Sequence, residues 1–201
     1  NKDKVVCLIV RDDKYLKTVS GNVDFSYHDY RHTDIDKFNK SIKSLVDLGY
    51  FVFRMGVNAY KPISIKHSNI IDYAYQGIRT DFMDVYLAQR CSFCISTSTG
   101  YDALPLIFRK PICFITVPVG LLFTFSEKFI SITKNHYSRK LKRFLTLDEI
   151  FDYELSVAKK KKDFEIKNIE LIESSEDEIN SLVLEMHNYL EDKKKLTKEE
   201  E

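Results

Sequence analysis

Nothing in this sequence reaches the roughly 18–20 consecutive apolar residues of a membrane-spanning helix, so no transmembrane segment is expected. Neither sign of charge is in excess. Thirty-one basic against 30 acidic residues leave a net charge of +1, which supplies no field to draw the chain onto nucleic acid or anionic membrane. There is no signal-peptide pattern and no internal repeat. The chain opens at Asn1 almost directly on its first strand pattern, which suggests a fragment whose upstream part is missing. Cysteine is scarce: Cys7, Cys91, Cys94 and Cys113 all lie in or beside predicted strands. Cys91-x-x-Cys94 has metal or redox spacing, but no second pair and no nearby histidine completes a site. The cysteines therefore read as buried free thiols in a reducing cytoplasm. What remains is one domain of 201 residues, or one and a tail, 44% hydrophobic and able to build a core.

The chain is organised around residues 81–117, which read as helix, buried strand, small polar loop, helix, buried strand. Phe82, Val85 and Tyr86 share a helical face in Asp81–Arg90, with Thr80 as a cap. Ser92–Ser96 is a short strand, and Ile112–Val117 is an apolar run of the kind covered on both faces. Between them, Ser96, Thr97, Ser98, Thr99 and Gly100 precede a helix over Tyr101–Arg109, which Lys110-Pro111 stops. Alternating strands and helices imply an α/β, Rossmann-like, mostly parallel sheet flanked by helices. The loop 96–100 then sits at a strand's carboxyl end, where open α/β sheets bind ligands and free amides favour phosphate.

Lys4–Val10 is a further buried strand, ending in Arg11-Asp12-Asp13-Lys14. An arginine there can fork onto a phosphate or pair with a carboxylate. Residues 15–34 form a long loop dense in tyrosine, histidine, aspartate and arginine, a functional lid or a mobile segment. Thr33 or Asp34 caps a helix over Ile35–Leu48, which Gly49 ends. Tyr50–Arg54 is the second strand, placing Arg54 on the same rim as Arg11, unless Asp81 or Asp84 pairs with it. Ile70–Tyr73 is a short third strand. The aromatic stretch with Phe123, Phe125, Phe129 and Ile132 is either core or a surface toward a missing neighbour. Lys134, Arg139, Lys140, Lys142 and Arg143 form a basic cluster, facing phosphate or simply solvent. Thr146–Glu149 resembles a capped helix start, and Phe164–Ile172 is irregular with some strand character. Glu176–Leu190 is a long amphipathic helix closing a domain over 1–190, and the charged tail 191–201 should fray or be disordered.

The segments VRD at 10–12, SYHDYRHTDID at 26–36, FRMG at 53–56, DFMDVYLAQRCSFCISTSTGYD at 81–102 and FRKP at 108–111 together resemble a family of bacterial glycosyltransferases of surface carbohydrate synthesis. More distantly, the strand–arginine start and D-x-x-L-x-x-C-x-F-x-I-S-T-S are similar to the carboxyl-terminal lobe of GT-B fucosyltransferases. The resemblance implies a two-lobed enzyme in which this lobe holds a nucleotide-sugar donor and a missing N-terminal lobe takes the carbohydrate acceptor. It further implies that Arg11 grips the donor diphosphate, that Ser96–Gly100 closes on phosphate or ribose, and that Asp84 supports the nucleotide side. The related sequences usually carry histidine two residues before that arginine. This chain has Ile9, so no base contact is expected from there and guanine is not implied.

Sugar transfer from a nucleoside diphosphate needs its leaving-group charge stabilised. Asp81 and Asp84 are a possible carboxylate pair on one helix face, but there is no D-x-D strand-end motif. Arginines Arg11 and Arg54 with a helix amino end are the expected device, giving a metal-independent reaction without cofactor. His28, Asp29 and Asp24 are the candidates for a general base. The expected location is the cytoplasm or the periphery of the inner membrane. The rival reading is a non-catalytic nucleotide-binding or interaction domain.

Overall fold

The structure, a computed structural model, describes residues 4–19, 24–117, 119 and 126–199. Phe123 and Phe125 lie outside them. The central sheet contains β1 (Lys4–Ile9), β2 (Tyr50–Arg54), β3 (Ile70–Ile71), β4 (Phe93–Ser96), β5 (Ile112–Val117) and β6 (Phe129–Thr133). Their spatial order is β3-β2-β1-β4-β5-β6, and every pairing is parallel. This is the Rossmann-like α/β architecture expected from the alternating pattern, in the strand order of the dinucleotide-binding folds.

The apolar runs are continuous because both faces of the sheet are covered. Side chains alternate across a strand, so Val6 and Leu8 of β1 enter one core and Cys7 and Ile9 the other. On the first face, Ile42 and Leu45 of the helix Asn39–Asp47 and Ile179, Val183 and Met186 of the helix Glu176–Glu199 close the core. On the second, Leu87 of the helix Asp81–Arg90, Met55, Tyr73 and Cys91 pack against Cys94, Ile112 and Phe114. Phe129 meets Phe114 edge-on at 5.8 Å, and Ile132 joins the first core, so this part of the aromatic stretch is sheet interior. All four cysteines are free and buried, as expected.

In chain order the helices are α1 (Lys14–Val19), α2 (Asn39–Asp47), α3 (Asp81–Arg90), α4 (Ala103–Ile107), α5 (Leu147–Asp152), α6 (Lys161–Ile166) and α7 (Glu176–Glu199). Thr80 caps α3 by accepting from Met83 N–H at 3.1 Å. Gly49, at φ +81°, ends the α2 segment. Asp34, not the buried Thr33, caps the 3-10 turn Ile35–Phe38 that precedes α2. The helix expected over Tyr101–Arg109 is a 3-10 turn, Gly100–Asp102, then one short α-helix ending at Ile107. Arg109 adopts φ +54°, and Pro111 cannot continue a helix. α7 runs past Leu190 through Glu199, because that segment is rich in Lys, Glu and Leu, good helix formers, and holds no Gly or Pro.

A second, antiparallel sheet, β8-β7-β9, joins β7 (Asn135–Ser138), β8 (Arg143–Phe144) and β9 (Ile169–Ile172). Its strands are short, and β7 is polar, burying only His136 and Ser138. A search for apolar runs passes over it. Leu145, Ile150, Leu155, Phe164 and Ile169 form a satellite core around it. Tyr30 from the first long loop packs into this core, 5.5 Å from the Phe164 ring. That loop is thereby held down: it contains α1 and a 3-10 segment over Ser26–Arg31.

Candidate functional site

The sheet's topological switch lies between β1 and β4, from which the chain builds outward in opposite directions. Ile9 is in register with Ser96, so the residues that follow both strands emerge on one rim. Arg11 N–H donates to Thr97 Oγ1 at 2.8 Å, and Thr97 N–H donates to Ile9 O at 3.1 Å. The two strand ends are thus laced together. Arg11, Thr99 and Gly100 line a common cavity of about 410 Å³, within the range of small-molecule sites.

Among the described residues, the Arg11 guanidinium has no hydrogen bond and no carboxylate within ion-pair distance, and its Nε is shielded from solvent. Burial and then the field of Arg31 lower its pKa. Arg54 differs. It is 2% exposed, donates to Lys61 O at 2.6 Å, and lies 3.7 Å from Asp72 and 3.9 Å from Asp12. Asp72 in turn accepts from Ile63 N–H at 2.7 Å. Arg54 borders the cavity, but its charge is balanced inside the protein, by Asp72 and Asp12 rather than by Asp81 or Asp84. Those two carboxylates are held by Arg79, at 2.7 Å from each. Asp84 also lines the cavity, with its Oδ1 shielded and, among the described residues, without a hydrogen-bond partner.

The small polar loop is braced from within. Asp102 accepts from Ser96 Oγ at 2.5 Å and from Thr99 N–H at 2.9 Å, while Ser98 N–H donates to Ser96 Oγ at 3.0 Å. The amides of Ser98 and Thr99 are therefore already occupied. Those of Gly100 and Tyr101 have no partner among the described residues. Thr99 Oγ1 is shielded and faces the Asp102 N–H in a capping box, but makes no hydrogen bond of normal geometry among the described residues. Burial raises the Asp102 carboxyl to about 6 against the opposing bonds from Ser96 and Thr99. Gly100 needs no special backbone conformation, and a Cβ added there would meet open space.

The three base candidates separate. Asp24 accepts from Ser26 N–H at 2.8 Å and belongs to a local turn. Asp29 faces His32, with Oδ1 3.6 Å from Nδ1. The His28 ring lies 4.1 Å from that of Tyr27, tilted by 40°, and its Nδ1 is shielded without a hydrogen-bond partner among the described residues. Burial, then Arg11, Arg31 and His32, lower its pKa, which leaves a neutral imidazole near the arginines at neutral pH. Among the described residues, Asp13, Asp29 and His32 bring three possible metal-ligand atoms within 4.8 Å of one another. Lys17, 2.6 Å from Asp13, already supplies positive charge to that group.

Sequence reasoning missed Arg31. It lay inside a segment noted for its resemblance, yet nothing local marks it. Its Nη2 donates to Ser98 O at 2.7 Å, a contact across 67 positions. The basic cluster also resolves. Lys134 is buried and donates to His32 O at 2.7 Å, Arg139 pairs with Glu170 at 3.0 Å, and Arg143 with Glu149 at 2.6 Å. Lys134 borders a second cavity of about 680 Å³ with Tyr30, His32, Phe164 and Glu173. Among the described residues no helix is long and apolar enough to cross a membrane. No protein-family model, curated protein or solved structure matches this chain, so the case for a function rests on its own motifs and on the geometry of this rim.

Proposed function

We propose that this domain is the donor-binding lobe of a cytoplasmic glycosyltransferase, moving a sugar from a nucleoside-diphosphate sugar to a glycan or other surface-carbohydrate acceptor held by a second lobe. The observation that carries the reading is Arg11. Among the described residues it is a cation without a protein counter-charge, at the switch point of a Rossmann-like sheet and opening on a cavity of about 410 Å³. A planar guanidinium offers paired donors that match a phosphate. As the glycosidic bond opens, the departing diphosphate gains negative charge, and a fixed cation beside it stabilises that charge without rearranging.

In this reading Arg11 grips the diphosphate, and Thr99 Oγ1 with the Gly100 amide complete its cradle. Asp84 Oδ1 and the apolar wall around Ile9 and Met55 receive the nucleoside side. Arg54 and Ser96 to Ser98 shape the rim from beneath. His28, neutral and beside the arginines, is the favoured group to take the acceptor hydroxyl's proton, with Asp29 behind it at His32. No metal ion is required for charge stabilisation when arginine supplies it.

The test is a thermal-shift panel of UDP, GDP, CDP, ADP and their sugars. A true donor at about 100 times its dissociation constant adds roughly 2.7 kcal/mol of stability. Absence of any shift across the panel overturns the donor reading. Binding without turnover, both here and in a longer polypeptide carrying an acceptor lobe, would favour the non-catalytic nucleotide-binding alternative.

A further inference from the structure

We propose that Arg31 and Arg11 together form a two-arginine clamp for a diphosphate group, with Thr99 Oγ1 and His28 Nδ1 completing its inner wall; this rests on the reading of the rim as a nucleotide-sugar site. The two arginines come from different elements and are brought to one loop by specific contacts. Arg11 follows β1 and donates its N–H to Thr97. Arg31 ends the 3-10 segment Ser26–Arg31, and its Nη2 donates to Ser98 O at 2.7 Å and to Ser98 Oγ at 3.4 Å. Thr33 N–H donates to Arg11 O at 3.2 Å, closing the loop segment onto β1's end.

The arrangement leaves an excess of positive charge and of unused donors. Among the described residues the Nε groups of Arg11 and Arg31 and Nδ1 of His28 are shielded from solvent without a hydrogen-bond partner, and Thr99 Oγ1, though it faces the Asp102 N–H in a capping box, makes no hydrogen bond of normal geometry. Among the described residues neither arginine has a carboxylate within ion-pair distance. The nearby acids are committed elsewhere: Asp102 to Ser96 and Thr99, Asp12 to the Lys14 and Tyr60 amides, Asp29 toward His32. Buried polar atoms are normally satisfied, and two guanidinium groups in one another's field repel. An anion with charge on two adjacent centres answers both deficits. A diphosphate has that form, one phosphate for each guanidinium. Tyr30 fixes the clamp: its ring is locked against Phe164, and its hydroxyl donates to Lys159 O at 3.0 Å.

The experiment is calorimetric titration of the protein with inorganic pyrophosphate, orthophosphate and the nucleoside diphosphate that shifts its melting most. The variants are Arg31→Gln, Arg31→Lys and Arg11→Gln, each also followed by thermal melting without ligand. Glutamine removes the charge but is two bonds shorter than the arginine that reaches Ser98 O, so melting without ligand separates loss of that contact from loss of charge. The expected result is a loss of at least about tenfold in pyrophosphate affinity for every variant, as for truncated charge pairs, with a smaller loss for orthophosphate. Arg31→Gln that folds and binds both diphosphates within about twofold of the parent, while Arg11→Gln does not, overturns the clamp and leaves the donor reading standing. If the parent binds no diphosphate at all, both fall. Should Arg31→Gln not fold, the Arg31→Lys titration decides by the same criterion, because lysine keeps charge and reach but not the fork.

Discussion

Arg11 N–H donates to the Thr97 hydroxyl at 2.8 Å, across 86 positions of sequence. One hydrogen bond thus fixes the distance between the arginine and the loop that must share its ligand. Thr97 is 1% exposed, so water cannot replace the bond if it is lost. Thr97→Val should cost about 1–3 kcal/mol of stability, the penalty for a buried unsatisfied amide. Chemical denaturation measures it. An unchanged midpoint would mean that the strand ends hold their spacing without this bond.

Arg11 and Arg54 should respond in opposite ways. Arg54 is buried against Asp72 and Asp12, so Arg54→Met should destabilise by about 3–5 kcal/mol, since it strands buried carboxylate charge. Arg11→Ala should leave the unliganded fold nearly unchanged and weaken nucleotide binding by roughly 2–5 kcal/mol. Arg11→Lys should bind almost as poorly. If Arg11→Ala unfolds the protein and surviving molecules keep their affinity, Arg11 is a structural residue.

Gly100 offers a cleaner probe of the cradle. A Cβ there meets nothing within 4 Å, and no unusual φ requires glycine. Gly100→Val should therefore melt close to the parent, while losing nucleotide affinity if a phosphate comes close to the backbone at that point. Equal affinity would move the ligand away from Gly100.

Asp102 gives the pH dependence. Its carboxyl is raised from 3.8 to about 6, chiefly by burial. Between these values the folded protein holds a proton that the unfolded chain has released. The contribution to stability is therefore complete below about 3.8 and is lost as pH rises through about 6. Denaturation midpoints measured from pH 4 to 7 should show this fall in the parent. Asp102→Asn, which can still accept from Thr99 N–H and donate to Ser96 Oγ, should flatten it. A variant with the parent's slope would assign the titration to another group.

His28 should titrate below its ordinary 6.5, since burial and then Arg11 and Arg31 oppose its protonation. The proton resonances of its ring follow this directly. Removing Arg31's charge should raise the midpoint, as should saturating with pyrophosphate. A midpoint indifferent to both would separate His28 from the arginine cluster and remove it as the candidate base.

What the sequence determined alone was whatever is decided locally or by burial. Strands covered on both faces must be apolar throughout, so Phe93–Ser96 and Ile112–Val117 were legible, and with them the parallel α/β class. Thr80, Gly49 and Thr146 were legible as helix punctuation because capping involves residues within one turn. The shared rim of Arg11 and Thr99 followed from strand direction. Only the tertiary structure decided which charges are balanced. Arg54 could have met Asp81 or Asp84 as readily as Asp72, until the short β3 brought Asp72 beside β2. It also assembled the polar β7 with β9, whose pairing joins residues more than 30 positions apart without an apolar run to announce it. Through that small sheet it anchored Tyr30 and so turned Arg31 toward Ser98. Ion pairs, polar ladders and loop docking depend on which distant segments meet, and that choice is made by the packing of the whole chain.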